Sequence, residues 1–351
     1  DTAAGLRSML GPLGKPVVVF GPNNFPFAFN AIAGSDFASA IAARNPVIAK
    51  VHPSHPATSQ ALARIAHAAL LACGLPAAAI QVLYRVEPAA SRLLVGQQAI
   101  GAVGFTGSRR AGLQLKAMAD VAGVPFYAEM SSINPVFLLE GAVRERGTAL
   151  AGEFFTSCTM GSGQFCTKPG TIVVPEGEAG NAFVEAAAAR YREAAAMTLF
   201  SADGVKGFLD GVACLREAGA TELARGLEPD QAGFRVSPVL LAVDGDRFLS
   251  SPQALQSEAF GPASLVVRYR DAAQARAIAA AMEGNLTATV YRAGDGSDDA
   301  VAADLVPVLR PRVGRLIFDR MPTGVAVSAG MNHGGPYPST SHPGFSAVGM
   351  P

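Results

Sequence analysis

The chain has no excess of positive or negative charge. Its 351 residues include 28 basic and 28 acidic side chains, and charged residues make up only 16% of the total. Such a balance creates no long-range field that would attract nucleic acid or an acidic membrane. Neither is therefore an expected partner.

Long apolar runs are also missing. No stretch of about 18 apolar residues, the length that crosses a bilayer, occurs, and no positively charged, apolar leader opens the sequence. We therefore expect no membrane span, and the cytoplasm is the simplest location. Because the first residue is Asp1 rather than methionine, we expect a processed chain or part of a longer protein.

Cysteine is scarce. The four cysteines are Cys73, Cys158, Cys166 and Cys214. They form no C-x-x-C pair and no metal-ligand spacing, so a reducing compartment is a simpler interpretation than a disulfide framework. The histidines of "HPSHP", His52 and His55, are each followed by proline and lack a partner cluster. That pattern favours a loop, and we expect no metal site.

What the sequence has in quantity is hydrophobic residues, at 50% of the chain. Short β-branched runs alternate with alanine-rich stretches, which is typical of a parallel sheet covered by helices on both faces. Strands are predicted at 16–20, 46–50, 80–84, 99–105 and 124–130, and again at 134–139, 170–175, 237–243, 262–269, 286–291 and 315–319. The restart near residue 130 predicts two doubly wound α/β domains with parallel sheets, 1–130 and 131–351.

Helices are predicted between these strands. They cover 27–44, 57–72 and 109–120, with a short one between the third and fourth strands, and then 144–157, 179–196, 204–218, 271–282 and 297–309. A length of 351 residues is enough for two domains of ordinary size.

One cysteine has an unusual setting. The segment "GSGQFCTKPG" places Cys166 between a glycine-rich turn and a Lys-Pro-Gly turn. A cysteine that only fills a core needs no glycines around it, whereas a cysteine that must meet a substrate does. Cys166 is therefore a candidate nucleophile.

Two segments follow a strand directly and open a helix. In "FGPNNFPF", Asn24 could point its amide into a cleft at the sheet edge, or an asparagine there could simply cap the helix. In "GFTGSRRAG", Gly107 allows close backbone approach, and Ser108 at a helix start suits a phosphate. The segment matches neither G-x-G-x-x-G nor the P-loop pattern, so an ordinary turn is the alternative.

Two lone carboxylates are also candidates. Glu129 ends the apolar strand of "AEMSS", where a dry cleft could make it a general base and water could make it an ordinary surface acid. Glu258, in "SEAFGP", precedes a turn and a strand, and a solvated loop residue is the alternative there.

These segments, in this order, resemble the aldehyde dehydrogenase superfamily over nearly the whole chain. The matching elements are "GPNNFPF", with Asn23 where the family has tryptophan, "PVIAK", "GFTGSRRAG", "AEMSS", "GQFCTKPG" and "SEAFGP". Within the superfamily, "GQFCTKPG" and "KVHPSHP" most resemble 2,5-dioxovalerate (α-ketoglutaric semialdehyde) dehydrogenases and the related bacterial NADP-dependent fatty aldehyde enzymes.

The resemblance implies a separate function for each domain. Residues 1–130 would form the dinucleotide-binding domain, and 131–351 would form the catalytic domain. Cys166 would attack the aldehyde, and Asn24 with the Cys166 backbone N–H would hold the oxyanion. Glu129 would activate water to hydrolyse the thioester, which gives a carboxylate.

The resemblance also implies NAD(P) as cofactor. Lys50 would contact the adenosine ribose, Gly107 and Ser108 the pyrophosphate, Glu258 the nicotinamide ribose, and Phe260 the nicotinamide ring. The family often has Lys-x-x-Glu after the second strand, but here Pro53 replaces the glutamate. We therefore expect a preference for NADP over NAD, with the Ser54 hydroxyl donating to the extra phosphate.

Several expectations follow for the intact protein. Family members carry longer ends that build a bridging hairpin, so we expect that hairpin to be missing and the full-length protein to be a homo-oligomer. The resemblance implies an aldehyde substrate, 2,5-dioxopentanoate oxidised to 2-oxoglutarate, with a long-chain fatty aldehyde as the alternative. The alternatives are a cofactor-binding fragment without turnover and a relative that transfers the acyl group to coenzyme A, which a hydrolytic Glu129 argues against.

Overall fold

The computed structural model describes residue 5, residues 11–324 and residues 330–344. The chain divides into two compact units, unit 1 up to Met130 and unit 2 from Ser131. Each unit is built on its own sheet. Among the described residues, no helix has the length and apolar character needed to cross a membrane.

Unit 1 contains a five-stranded sheet with all neighbouring strands parallel. Its strands are β1 (Val17–Phe20), β2 (Val47–Lys50), β3 (Ile80–Leu83), β4 (Ala102–Thr106) and β5 (Phe126–Glu129). Its helices are α1 (Ser35–Ala42), α2 (Pro56–Ala72), α3 (Pro88–Val95) and α4 (Arg109–Val121). The strand order β3-β2-β1-β4-β5 reverses direction between β1 and β4. Ligands bind beyond the carboxyl ends of the strands at such a reversal.

The helix predicted over 27–44 begins only at Ser35, so that prediction was wrong for its first two turns. Asn30 explains the delay, because its side chain competes with a helix for backbone groups. Its amide donates to the Pro26 carbonyl at 2.9 Å, and its Oδ1 accepts from the Ile32 N–H at 3.1 Å. Gly34 then packs against the backbone of Phe29, where a side chain would not fit.

Unit 2 contains a seven-stranded sheet in the order β14-β13-β6-β7-β12-β11-β9 and a separate two-stranded ribbon of β8 and β10. The strands are β6 (Val136–Leu138), β7 (Thr171–Pro175), β8 (Met197–Thr198), β9 (Thr221–Arg225), β10 (Arg235–Val236), β11 (Val239–Asp244), β12 (Ala263–Tyr269), β13 (Asn285–Tyr291) and β14 (Val313–Phe318). The helices are α5 (Glu140–Thr159), α6 (Glu178–Glu193), α7 (Ala202–Glu217), α8 (Gly245–Ser250), α9 (Ala272–Ala281) and α10 (Asp299–Leu309).

The predicted α/β class with parallel sheets is confirmed, with one difference in unit 2. Strand β9 pairs with β11 in the antiparallel sense at the sheet edge, and the short strands β8 and β10 are also antiparallel. None of these three was predicted. The sequence of β9, "TELAR", carries two charges, since an edge strand meets water and needs no continuous apolar run.

In both units the sheet separates two apolar layers. Val18 and Val103 face one side of the unit 1 sheet, and Val19 and Ala49 face the other. Unit 2 has the same arrangement with larger clusters. Strands that are apolar on both faces are buried on both faces, as their runs of valine, isoleucine and leucine predict.

Candidate active site

A cavity of about 320 Å³ lies at the carboxyl ends of β1, β2 and β4 in unit 1. Its volume falls within the range of about 300–1,000 Å³ found for ligand pockets. The lining residues are Phe20, Gly21, Lys50, His52, Val86, Pro88, Ser91, Arg92, Phe105, Thr106, Gly107, Ser108, Ala111, Gln114 and Leu115. The cavity thus brings together three of the predicted cofactor residues, Lys50, Gly107 and Ser108.

The charged groups of this cavity are cationic. Lys50 and Arg92 line it, and none of the lining residues is acidic. Burial lowers the pKa of Lys50, because the ammonium has lost water without gaining a carboxylate among the cavity's side chains. An anionic ligand would raise the pKa of Lys50 again by stabilising its charged form, so the cavity suits a phosphate group.

His52 lines the cavity, which sequence reasoning missed by assigning it to an ordinary loop. The backbone N–H of Ser54 donates to its Nδ1 at 3.2 Å. A neutral ring that accepts at Nδ1 carries its proton on Nε2. Ser54 itself is not among the residues that line the cavity, although it was predicted to contact the cofactor.

Ser108 is the N-cap of the 13-residue helix α4, and its Oγ accepts from the Ala111 N–H at 3.4 Å. The exposed N-terminus of that helix therefore opens at the cavity. Gly107 also lines the cavity, and its backbone N–H donates to the Glu129 carbonyl at 3.1 Å. It joins the ends of β4 and β5, and a side chain there would meet the Phe105 ring at 2.9 Å.

Glu129 ends β5 and is buried, with 7% of its surface exposed. A second carboxylate, Asp36 in the first turn of α1, packs over β4, where a methyl group on Gly104 would lie 2.9 Å from its Oδ2. Burial raises the pKa of Asp36 to about 6, and the charge of Glu129 adds to the effect. Two carboxyl groups thus lie near the carboxyl end of this sheet, where the sequence predicted one.

Asn24 lies in the turn between β1 and α1, and polar contacts hold the residues on either side of it. His55 Nε2 lies 3.3 Å from the Pro22 carbonyl, and its Nδ1 lies 3.2 Å from Ser59 Oγ. The Asn30 amide donates to Ser59 Oγ at 3.0 Å as well as to the Pro26 carbonyl. The turn is therefore fixed to α2.

The turn that carries Cys166 lies at the amino end of β7 in unit 2. It is built from left-handed residues, since Gly161, Ser162 and Gly163 have φ values of 56°, 59° and 70°. Gly163 also packs directly on the Gly261 backbone, where an added Cβ would lie 2.2 Å from the carbonyl oxygen. The glycines around Cys166 thus let its turn contact the loop that carries Glu258.

Cys166 has a histidine beside its thiol. Its Sγ lies 3.2 Å from Nε2 of His333, and His333 is 1% exposed while Cys166 is half-buried. An imidazole at this distance can take the thiol proton and leave a thiolate–imidazolium pair. The arrangement provides a nucleophile and a proton acceptor in contact within one unit.

Close backbone packing fixes His333. A Cβ added to Gly314 at the start of β14 would lie 1.8 Å from the Gly334 carbonyl oxygen, and one added to Gly335 would lie 2.3 Å from the Asn285 carbonyl oxygen. The segment that follows His333 therefore lies directly on the amino ends of β13 and β14. Sequence reasoning missed His333. The available signal was a histidine before a Gly-Gly pair in "MNHGGPYPST".

Glu258 and Phe260 lie in the loop that precedes β12, and both are partly buried. The backbone N–H of Ser132 donates to Glu258 Oε1 at 3.4 Å. Lys168, two residues after Cys166, is 2% exposed and donates its Nζ to the carbonyls of Ala259 and Ala263 at 3.2 and 2.6 Å. Burial lowers its pKa, while Cys158 and Glu258 favour its charged form.

Known proteins match this chain along most of its length. The aldehyde dehydrogenase family model matches residues 5–336. The chain is 41% identical over 337 residues to "Alpha-ketoglutaric semialdehyde dehydrogenase 2" of Azospirillum brasilense and 37% identical to "Alpha-ketoglutaric semialdehyde dehydrogenase" of Acinetobacter baylyi. Each alignment covers 95% of this chain and 63% of the relative, so the chain spans less than two thirds of their length.

Solved structures share the fold. Succinic semialdehyde dehydrogenase from Streptococcus pyogenes, in complex with NADP+, matches with a TM-score of 0.71 at 19% identity, covering 95% of this chain and 72% of that one. An NAD-dependent aldehyde dehydrogenase from Sinorhizobium meliloti matches with a TM-score of 0.74 at 23% identity, covering 94% and 63%. With the matched family model and the identities above, the chain belongs to the aldehyde dehydrogenase family.

Proposed function

We propose that this protein oxidises an aldehyde to a carboxylate through a covalent intermediate on Cys166. The observation that carries the proposal is the 3.2 Å contact between Cys166 Sγ and His333 Nε2, at a half-buried cysteine that follows a turn of glycine and serine. A buried structural cysteine needs neither feature. Cys158, for comparison, is fully buried, and burial raises the pKa of its thiol to about 11.

The reaction begins with proton transfer. His333 takes the Cys166 proton, and the thiolate adds to the aldehyde carbonyl carbon to form a thiohemiacetal. The amide of Asn24 and the Cys166 backbone N–H hold the oxyanion that develops on the former carbonyl oxygen. Loss of hydride from the same carbon then leaves a thioester on Cys166.

NADP, when bound, would supply a nicotinamide that can accept this hydride. Lys50, Gly107 and Ser108 would hold its adenosine and pyrophosphate parts, while Glu258 and Phe260 would hold the nicotinamide ribose and ring. The cavity fits this group, because its volume, the lowered pKa of Lys50 and the α4 N-terminus all suit a phosphorylated ligand.

The charges around the cavity support the proposed preference for NADP over NAD. Pro53 stands where a ribose-binding glutamate would repel a 2′-phosphate, and no acidic residue lines the cavity. Lys50, Arg92 and His52 can each donate to a phosphate oxygen. The Ser54 hydroxyl stays a proposed fourth donor.

Glu129 completes the cycle in this proposal. Its carboxylate takes a proton from water as the water oxygen attacks the thioester carbon. Collapse of the adduct expels the Cys166 thiolate and leaves the carboxylic acid, which loses its proton to give the carboxylate product. Transfer of the acyl group to coenzyme A is the competing outcome. A carboxylate at 7% exposure favours hydrolysis, since it offers a base that can take a proton from an attacking water.

The proposed substrate is α-ketoglutaric semialdehyde (2,5-dioxopentanoate), and the product is 2-oxoglutarate. The support is the 41% identity to a relative that carries that name. A long-chain fatty aldehyde is the alternative. We further propose a cytoplasmic homo-oligomer as the working form, a location that suits a chain whose cysteines are all free.

The function is tested by aldehyde-dependent NADPH formation with both aldehydes, and the sharper test uses Glu129→Gln. This variant should release about one equivalent of NADPH per active site in a burst and then slow by roughly 100-fold or more, because general-base catalysis contributes about 10²–10⁴-fold. The thioester should be visible as a mass increase on the Cys166 peptide.

The controls separate the alternatives. Added coenzyme A should leave the steady-state rate of the unmodified protein unchanged and yield no acyl-CoA. A chain that binds NADP without forming NADPH from either aldehyde would contradict the proposal. Steady-state turnover unchanged in Glu129→Gln would remove Glu129 from it.

A further inference from the structure

Asn134 makes direct contact with the backbone of the candidate nucleophile. It precedes β6, it is completely buried, and its φ of 45° lies in the left-handed region. Its Nδ2 donates to the Cys166 carbonyl at 2.8 Å and to the Lys168 carbonyl at 2.9 Å. One planar amide thus holds both ends of the Cys166-Thr167-Lys168 turn.

The other end of the amide is equally constrained. Asn134 Oδ1 accepts from Ser132 Oγ at 2.9 Å and from Thr287 Oγ1 at 3.1 Å. Because the oxygen meets two hydroxyl donors and the nitrogen meets carbonyl acceptors, the amide has one orientation that satisfies all its partners. The Cys166 turn is therefore tied to β13, the strand that bears Thr287.

Asn285 holds the backbone of Ile133 and Asn134 in place. Its Oδ1 accepts from the backbone N–H groups of Ile133 and Asn134 at 2.9 and 3.2 Å. The Asn285 carbonyl in turn lies under Gly335, two residues after His333. Asn285, at the amino end of β13, thus contacts both the segment that holds the Cys166 turn and the segment that follows His333.

We propose that Asn134 is a positioning residue, which holds the Cys166 turn where Sγ meets His333 Nε2. The proposal rests on the proposed function. Asparagine meets two demands here, because it tolerates the left-handed backbone and supplies two amide donors. Glycine meets the first demand and not the second.

The test is Asn134→Gly, which keeps the backbone conformation accessible and removes the amide. The unmodified protein and the variant are reacted with a small aromatic disulfide across a pH series, and modification of the Cys166 peptide is quantified by mass spectrometry. We expect the variant to lose at least tenfold of the reactivity near pH 6, because Sγ is no longer held against the imidazole. Its kcat should fall by a similar factor, while KM for NADP changes less than about twofold.

A matched control separates positioning from loss of stability. Leu305→Ala removes a fully buried side chain of α10 elsewhere in unit 2, so it lowers the melting temperature without touching the Cys166 turn. It should leave the disulfide-reactivity profile unchanged. If Asn134→Gly does not fold, Thr287→Val, which removes one donor to Asn134 Oδ1, should shift the profile in the same direction by a few fold.

The reactivity assay needs no aldehyde, so it separates the two proposals. Absence of aldehyde oxidation in the unmodified protein would refute the proposed function and leave the Asn134 assay intact. A folded Asn134→Gly with the unmodified profile and kcat would overturn the positioning role, and so would an unshifted Thr287→Val if the glycine variant fails to fold. A shift of equal size in Leu305→Ala would also overturn it.

Discussion

Replacing His333 by glutamine should make Cys166 less reactive near pH 6 and more reactive near pH 9. A glutamine amide can still donate near the position of Nε2, but it cannot take the thiol proton. The contact to be removed is 3.2 Å long and lies in a site where His333 is 1% exposed, so bulk water cannot readily replace the imidazole. The glutamine variant thus retains a hydrogen-bond donor to Cys166 Sγ but cannot form the positively charged imidazolium.

Two effects of opposite sign set the magnitude. A thiol beside an imidazolium commonly ionises two or more units below the ordinary value of about 8.5, which gives about 100-fold more thiolate near pH 6. A less basic thiolate is also a weaker nucleophile, by about eightfold for two units at a Brønsted coefficient of about 0.45. The net advantage of the histidine is therefore about tenfold near pH 6.

Near pH 9 the advantage should change sign, because both proteins are then ionised and the variant keeps the more basic thiolate. The assay is thiol–disulfide exchange with a small aromatic disulfide, read at the Cys166 peptide because Cys73 and Cys214 are exposed and will also react. His55→Gln, a histidine of unit 1, serves as the matched control. Parallel profiles for the unmodified protein and His333→Gln would refute the assigned role of the histidine.

Two further changes test unit 1. Pro53→Glu should shift the ratio of kcat/KM from NADP towards NAD by about 10- to 150-fold, the equivalent of a charge-assisted hydrogen bond of roughly 1.5–3 kcal/mol; an unmodified protein that already prefers NAD by more than tenfold would contradict the reasoning. Asp36→Asn should stabilise the protein at high pH only. The pKa of Asp36 rises from 3.8 to about 6 on folding. The contribution of its protonated carboxyl group to the free energy of unfolding is therefore fully present below pH 3.8 and is lost as pH rises through about 6, by at most ~3 kcal/mol. Thermal unfolding should show a larger gain for Asp36→Asn near pH 8 than near pH 4.5, and a gain independent of pH would count against this.

The strands could be predicted because each buried strand is a short apolar run between turn-forming residues. "PVVVF", for example, gives β1 at Val17–Phe20, and "PASLVVRY" gives β12 at Ala263–Tyr269. The start of α1 could not be predicted from the same alanine-rich pattern. Asn30 delays it by bonding to the Pro26 carbonyl and the Ile32 N–H. The same side chain also bonds to Ser59, a partner 29 positions away, and such a distant contact leaves no local periodicity.

The residues of the candidate site also include some that the sequence predicts and some that it does not. Cys166 could be found because its turn needs glycines at left-handed positions, and those glycines are visible in the sequence. His333 could not, because its position depends on Gly314 and Gly335 letting one backbone lie directly on another, 167 residues along the chain from the thiol. A glycine that marks a turn and a glycine that admits another strand look alike in a sequence. Only the fold distinguishes them, and in unit 2 it is the second kind that places an imidazole beside the cysteine.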